Sequence, residues 1–329
     1  MTTVGVVGAG AWGTALAIAA RRAGHQVRIW ARDSAVAAAI NERHENPAYL
    51  PGVVIDPDIT ATNDLAGLGR TDVVLLVTPA QHLREVVRGF AAQAARSVPM
   101  VICSKGVEQG TGALMTEVLR DILPEAPTAV LSGPTFAIEV ARDLPAAATL
   151  ASTDLDLARR LAPAIGSRTF RIYHTADTVG VQIGGAVKNV IAIAAGVVEG
   201  RALGDNARAA LVTRGLAEIG RLAAALGGEP RTLMGLAGLG DLMLTCSARQ
   251  SRNFSLGIAL GQGRSLTEIM AERHSVAEGV HTARSVVTLA ARLGVEMPIS
   301  AAVDAVLHSN ADIGDAIGAL LGRPFKAEG

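Results

Sequence analysis

Lys188 is the only ionisable side chain in the run Val179 to Val198, VGVQIGGAVKNVIAIAAGVV, where all but Gln182 and Asn189 are small or apolar. On a helix it shares a face with Gly184, Gly185, Ile191, Ala192 and Ala195, at spacings of three, four and seven residues. Small residues on that face favour close packing, and burial of the amine disfavours the ammonium form. A lysine whose pKa falls toward neutrality exchanges protons with a substrate, so general acid/base chemistry is the expectation. Two plainer readings stand beside it. One is a lysine that snorkels to the surface; the other is a membrane span, since the run approaches the roughly 20 residues a bilayer requires.

A buried lysine calls for an acid, and Asp241, which closes the glycine-rich turn Gly235 to Asp241, is the expected partner that orients or balances it. Ser251-Arg252-Asn253 sets three polar groups side by side, the arginine offering a fork that suits a phosphate; as a bare tripeptide it also reads as a solvated helix cap. Lys105 follows a strand-like run and is expected to reach a substrate phosphate or the nicotinamide pocket, unless it is an ordinary surface lysine. Ser132 to Ala137, SGPTFA, is a small-residue turn opening a helix, where Gly133 and the Thr135 hydroxyl are candidates to hold substrate. Glu278 is expected either to bind cofactor or to start a helix.

A second chemistry sits at the start of the chain. Gly8, Gly10 and Gly13 form GxGxxG between the β-branched run Val4 to Val7 and the alanine-rich segment Thr14 to Arg22. Such glycines permit a tight turn, let a pyrophosphate approach the backbone, and allow the helix to sit close on the strand. A glycine turn of purely structural use is the alternative. At the tip of the next strand, Val27 to Ala31, an enzyme specific for NAD usually carries an acid. Here Arg32 stands in that place, while Asp33 is expected to cap the following helix. A guanidinium there suits the 2′-phosphate of NADP, so the cofactor expected is NADP or NAD; a solvated loop arginine is the competing reading.

The elements that must position these groups alternate strand and helix through the first half. Strands are expected at Asp72 to Val77, Met100 to Cys103, Thr128 to Leu131, Ala146 to Ala151 and Thr169 to Tyr173, with a helix from about Pro79 to Ala95. After Asp177 the periodicity becomes helical to Leu321. The expected fold is therefore α/β, an N-terminal Rossmann-type doubly wound sheet over residues 1–177 followed by an all-α domain over 178–329. At 329 residues, 50% hydrophobic and 18% charged, with 36 glycines, the chain implies large buried area and close backbone approach. The alanine- and glycine-rich second half suggests a homodimer. Thirty basic and thirty acidic residues cancel, so no global field attracts nucleic acid or a membrane surface. Cys103 and Cys246 form no CxxC pair, the histidines show no ligand spacing, and no metal site is expected. Nothing at Met1-Thr2-Thr3 reads as a secretory signal, which points to the cytoplasm.

With these residues in place, the chain resembles the NAD(P)-dependent glycerol-3-phosphate dehydrogenases of the bacterial type. The resemblance runs through GAGAWGTALA (Gly8 to Ala17), SKG (Ser104 to Gly106), SGPTFA, VGVQIGGAVKN (Val179 to Asn189), NARAALVTRGLAE (Asn206 to Glu218), GLAGLGDLMLTC (Gly235 to Cys246), SRN (Ser251 to Asn253) and VAEG (Val276 to Gly279). It implies reversible reduction of dihydroxyacetone phosphate to sn-glycerol 3-phosphate for phospholipid synthesis. It also implies that Lys188 transfers the proton and that Lys105, Gly133, Thr135, Asp241, Ser251, Arg252 and Asn253 bind substrate. The cofactor positions implied are Ala11, Trp12, Arg32, Lys105, Ala137, Arg252, Val276 and Glu278. Two rivals remain at this level: a dehydrogenase of 3-hydroxy acids with the same architecture, and a nicotinamide sensor without turnover.

Overall fold

The computed structural model describes residues 1–68, 71–91, 97–272, 277–325 and 327. In the first half, strands alternate with helices: β1 (Thr3–Val7), α1 (Ala11–Arg22), β2 (Gln26–Trp30), α2 (Ser34–Ala38), β3 (Ile59–Thr62), β4 (Val73–Leu76), α3 (Leu83–Ala91) and β5 (Met100–Ile102). Then come α4 (Met115–Ile122), β6 (Thr128–Ser132), α5 (Ala137–Ala141), β7 (Ala146–Ala151), α6 (Leu155–Ile165) and β8 (Phe170–Thr175). They build one sheet in the order β3-β2-β1-β4-β5-β6-β7-β8, parallel except that β7 runs antiparallel to β6. The central strands are buried on both faces, which is why Val4, Val6, Val7 and Val73 to Leu76 read as unbroken apolar runs instead of an alternation. The order reverses between β1 and β4. In open α/β sheets the ligand crevice lies at such a reversal, beyond the carboxyl ends of the strands.

Two expectations about this half are corrected. β3 was not anticipated; its four residues lie among Pro57, Asp58, Asn63 and Asp64, which mask a short edge strand as loop. The single helix expected from Pro79 to Ala95 is a 3₁₀ turn at Ala80–His82 followed by α3, and residues 92–96 lie outside those described. Pro79 itself is extended (φ −54°, ψ 144°) and stands outside the helix as the N-cap of the 3₁₀ turn.

Among the described residues no strand follows β8. The second half is α7 (Thr178–Gly200), α8 (Asp205–Ala225), α9 (Pro230–Leu233), α10 (Asp241–Ser247), α11 (Arg252–Gly261), α12 (Leu266–Ala271), α13 (Glu278–Arg292), α14 (Pro298–His308) and α15 (Ile313–Leu321). Residues 236–240, expected as a turn, form instead a wide π-type helical turn that runs directly into α10. α7 is the axis of this half. Asp177 caps it, accepting from the Gly180 N–H at 2.7 Å and also from the Glu229 N–H at 2.8 Å. Helices α8, α10, α11 and α13 surround it. It is long and apolar enough to cross a bilayer, yet its most apolar window is wholly buried within the protein.

α11 lies closest because both helices present glycine at the crossing. A Cβ at Gly257 would overlap the carbonyl oxygen of Ile193, and one at Gly196 the carbonyl oxygen of Phe254. Gly200 and Gly261 repeat the arrangement a turn later. This contact places the N-terminus of α11, with Arg252 and Asn253, beside the middle of α7.

Candidate active site

Lys188 does not reach the surface. Its side chain is 8% exposed, and Nζ donates to Asp241 Oδ1 at 2.5 Å and to Thr245 Oγ1 at 2.8 Å. Lys105 Nζ donates to the other oxygen of the same carboxylate, Asp241 Oδ2, at 2.7 Å, and to the Gly133 carbonyl at 3.0 Å. One buried anion thus holds two cations from different halves of the chain. Asp241 reaches this point because it is the first residue of α10, delivered by the turn at 236–240; Gly184 lets that turn approach, since a Cβ there would stand 2.6 Å from the Ala237 oxygen. Burial pushes the Lys188 ammonium down to about 8, and the Lys105 charge adds to the depression, while the Asp241 carboxylate opposes both. An amine in that range can give or take a proton near neutral pH.

Thr245 escaped the sequence reading. It lies four residues after Asp241 on one helix, a spacing that puts both on the same face and was available as a signal. Its hydroxyl proton goes to the Asp241 backbone oxygen at 2.6 Å, so the oxygen presents a lone pair to Lys188. The neighbouring thiols are inert near neutrality, because burial pushes Cys103 up and Cys246 up to about 12.

The polar corner after α10 divides its tasks. Ser251 caps α11, accepting from the Phe254 N–H at 3.2 Å, as the plainer reading of the tripeptide expected. Asn253 donates to Asn189 Oδ1 at 2.9 Å and accepts from the Gly279 N–H at 3.0 Å, tying α11 to α7 and α13. Arg252 is exposed at the helix start, and its charge acts on Glu278. Thr135 Oγ1 donates to the Gly133 carbonyl at 3.2 Å, and Ala137 opens α5. Gly133 must be glycine, since a Cβ would lie 2.8 Å from Ala148 Cα.

The glycine turn joins this centre through the strand ends. α1 begins at Ala11, so Trp12 and Gly13 are already helical, and a Cβ at Gly13 would overlap the Gly8 carbonyl oxygen. Gly8 (φ +117°) packs against Val77 and Thr78, and Ser104 Oγ donates to the Thr78 carbonyl at 2.6 Å, one residue before Lys105. Across the same crevice Glu278, at the start of α13, accepts from the Ala80 N–H at 3.3 Å. Burial raises its carboxyl to about 6, against that bond and the Arg252 charge.

The residues present fit a dinucleotide. A Cβ at Gly10 would meet nothing within 4 Å, α1 has no acidic residue in its first turn, and its N-cap is a glycine without a side chain to occupy the free N–H groups. Trp12 Nε1 and Glu278 Oε2 are buried without a hydrogen-bond partner among the described residues. Asp33 caps α2, accepting from the Ala35 N–H at 2.8 Å, which leaves Arg32 exposed at the end of β2. Val276 lies outside the described residues.

Comparison with known proteins agrees with this geometry. The family model for the NAD-dependent glycerol-3-phosphate dehydrogenase N-terminus matches residues 3–158, and that for its C-terminus matches residues 177–318. The chain is 60% identical over 327 residues to a glycerol-3-phosphate dehydrogenase (NAD(P)+) of Rhodospirillum rubrum, covering 99% of this chain and 94% of that one. A second, from Parvibaculum lavamentivorans, is 54% identical over 325 residues, covering 99% and 98%. The crystal structure of glycerol-3-phosphate dehydrogenase from Coxiella burnetii superposes with a TM-score of 0.94 at 38% identity, covering 98% of this chain and 99% of that one. With both halves matched in order, and relatives more than half identical across nearly the whole length, the chain belongs to the NAD(P)-dependent glycerol-3-phosphate dehydrogenases of the bacterial type.

Proposed function

We propose that this enzyme reversibly reduces dihydroxyacetone phosphate to sn-glycerol 3-phosphate, with Lys188 moving the proton. The observation that carries the reading is the buried Lys188–Asp241–Lys105 cluster at the carboxyl ends of β5 and β6. Bound NAD(P)H supplies the hydride; Gly8, Gly10, Ala11, Trp12 and Gly13 would hold its pyrophosphate side. Arg32 would hold the 2′-phosphate of the phosphorylated form, while Lys105, Ala137, Arg252 and Glu278 would line the rest. As the ketone carbon is reduced, its oxygen gains negative charge. Lys188 as ammonium stabilises that oxygen and protonates it; in the reverse direction the neutral amine takes the hydroxyl proton.

Asp241 keeps the two lysines in register without a net buried charge surplus of two, and Thr245 fixes the direction of the Lys188 amine. Arg252, Asn253, Ser251, Thr135, Gly133 and Lys105 would bind substrate, so that its phosphate orients the ketone toward Lys188. A phosphate fits an arginine and lysine pair better than a site for 3-hydroxy acids requires. We also place the functional division at 177/178, between sheet and helices, and assign the enzyme to phospholipid synthesis in the cytoplasm. A homodimer is supported by α15, which has no buried residue although it reads IGDAIGALL, and by Leu321 at 81% exposure.

The test is oxidation of NADPH and NADH with dihydroxyacetone phosphate, set against 3-keto acids. Turnover with the phosphorylated ketone alone is expected, with NADPH used at least as well as NADH. Preference for keto acids, or cofactor binding without turnover, would overturn the proposal.

A further inference from the structure

Asn46 is fully buried. It enters from the loop after α2, where His44 takes a left-handed conformation (φ 54°), and the loop then closes on itself through the Leu50 N–H to the Asn46 carbonyl at 2.8 Å. Leu50 and Ile55 sink into the same core as Ala9 and Leu16. The loop is therefore fixed, and so is the side chain it carries. Asn46 Nδ2 donates to the Ala9 carbonyl at 2.9 Å and to Thr14 Oγ1 at 2.8 Å. Because a carbonyl only accepts, the amide's orientation is settled by chemistry: the nitrogen faces the turn. Its Oδ1 is left buried without a donor among the described residues, an arrangement that costs stability and needs a compensating purpose.

Ala9 lies between the first two glycines of the turn, and its carbonyl shares a peptide plane with the Gly10 N–H. In a trans peptide the two point in opposite directions. Drawing the Ala9 oxygen inward onto Asn46 turns the Gly10 N–H outward, to the side where a Cβ on Gly10 would find open space. Thr14 Oγ1, 3.5 Å from the same oxygen, closes a three-membered clasp with Asn46. We infer that Asn46 is a positioning residue for the pyrophosphate of the dinucleotide, acting through Ala9 and Thr14 to hold the turn's N–H groups in their binding orientation.

The inference rests on the dinucleotide reading of the turn, and one set of binding measurements separates the two. NADPH, ADP-ribose and adenosine 2′-phosphate are titrated calorimetrically into the wild-type full chain and into Asn46→Ala, Thr14→Val and Thr14→Ser. Asn46→Ala is expected to weaken NADPH and ADP-ribose roughly five- to tenfold, the range one lost hydrogen bond spans. Thr14→Val weakens them by a smaller factor, and Thr14→Ser, which keeps the hydroxyl, binds like wild type. Adenosine 2′-phosphate, which lacks the pyrophosphate, binds all four proteins alike. kcat at saturating NADPH and KM for dihydroxyacetone phosphate stay unchanged. If Asn46→Ala does not fold, the Thr14 pair decides by the contrast between valine and serine. Equal affinities throughout overturn the inference, as does a common factor on all ligands, kcat and KM, which marks general loosening. Failure of wild type itself to bind ADP-ribose overturns the underlying reading instead.

Discussion

Lys188 and Asp241 stand 53 residues apart in the chain and meet at 2.5 Å in the interior, the lysine 8% and the aspartate 1% exposed. Lys105 occupies the second oxygen of the same carboxylate. The Asp241 carboxylate is why the buried lysine does not simply discharge: it holds the proton that burial and the neighbouring Lys105 cation work to remove. From this balance the following outcomes are expected.

Lys188→Ala should lower kcat by at least about 10²-fold, the lower range for a lost general acid/base. NADPH affinity, set by the turn at the start of α1, should stay within a factor of about two. Steady-state kinetics with parallel cofactor titration checks both, and near-normal turnover would remove Lys188 from the mechanism.

Asp241→Asn should depress kcat and also destabilise the fold. Taking the anion from between two lysines leaves buried cations without compensation, a change that typically costs ~3–5 kcal/mol. Lys105, at 17% exposure, can escape part of this toward solvent, so the lower end is expected. Urea unfolding of wild type and variant gives the difference; equal midpoints would refute the shared-carboxylate account.

The two directions of reaction should depend oppositely on pH. Reduction needs the Lys188 ammonium and should fall as pH rises through about 8, while oxidation needs the free amine and should rise over the same interval. Stability carries a linked signature. The folded pKa lies below the 10.5 of an unfolded lysine, so between about 8 and 10.5 the unfolded chain binds more protons. Over that window this group makes stability rise with pH. Profiles of both directions, repeated with Lys188→Ala for the stability curve, test the assignment; parallel profiles in the two directions would contradict it.

Gly257→Ala should cost ~1–3 kcal/mol by overpacking where α11 crosses α7, since the added methyl meets the Ile193 carbonyl. Because that crossing sets Asn253 against Asn189, KM for dihydroxyacetone phosphate should rise with it. Thermal unfolding and substrate titration together decide.

Local patterns revealed what local physics governs. GxGxxG between an apolar strand and an alanine-rich helix announced the dinucleotide turn, because two of its positions demand glycine for local reasons: Gly8 sits at φ +117°, and a Cβ on Gly13 would overlap the Gly8 carbonyl oxygen. A lone lysine in an apolar helical run announced a buried amine, because nothing else in Val179 to Val198 ionises. Asp33 was legible as a cap for the same reason, its bond reaching only two residues along the chain. The tertiary structure decided what depends on distant partners. That Lys105 shares Asp241 with Lys188, that Thr245 holds the amine, and that Asn46 grips the Ala9 carbonyl are contacts across separate elements. No periodicity records them, since a side chain's spacing along its own helix or loop carries no information about which carbonyl or carboxylate packs against it.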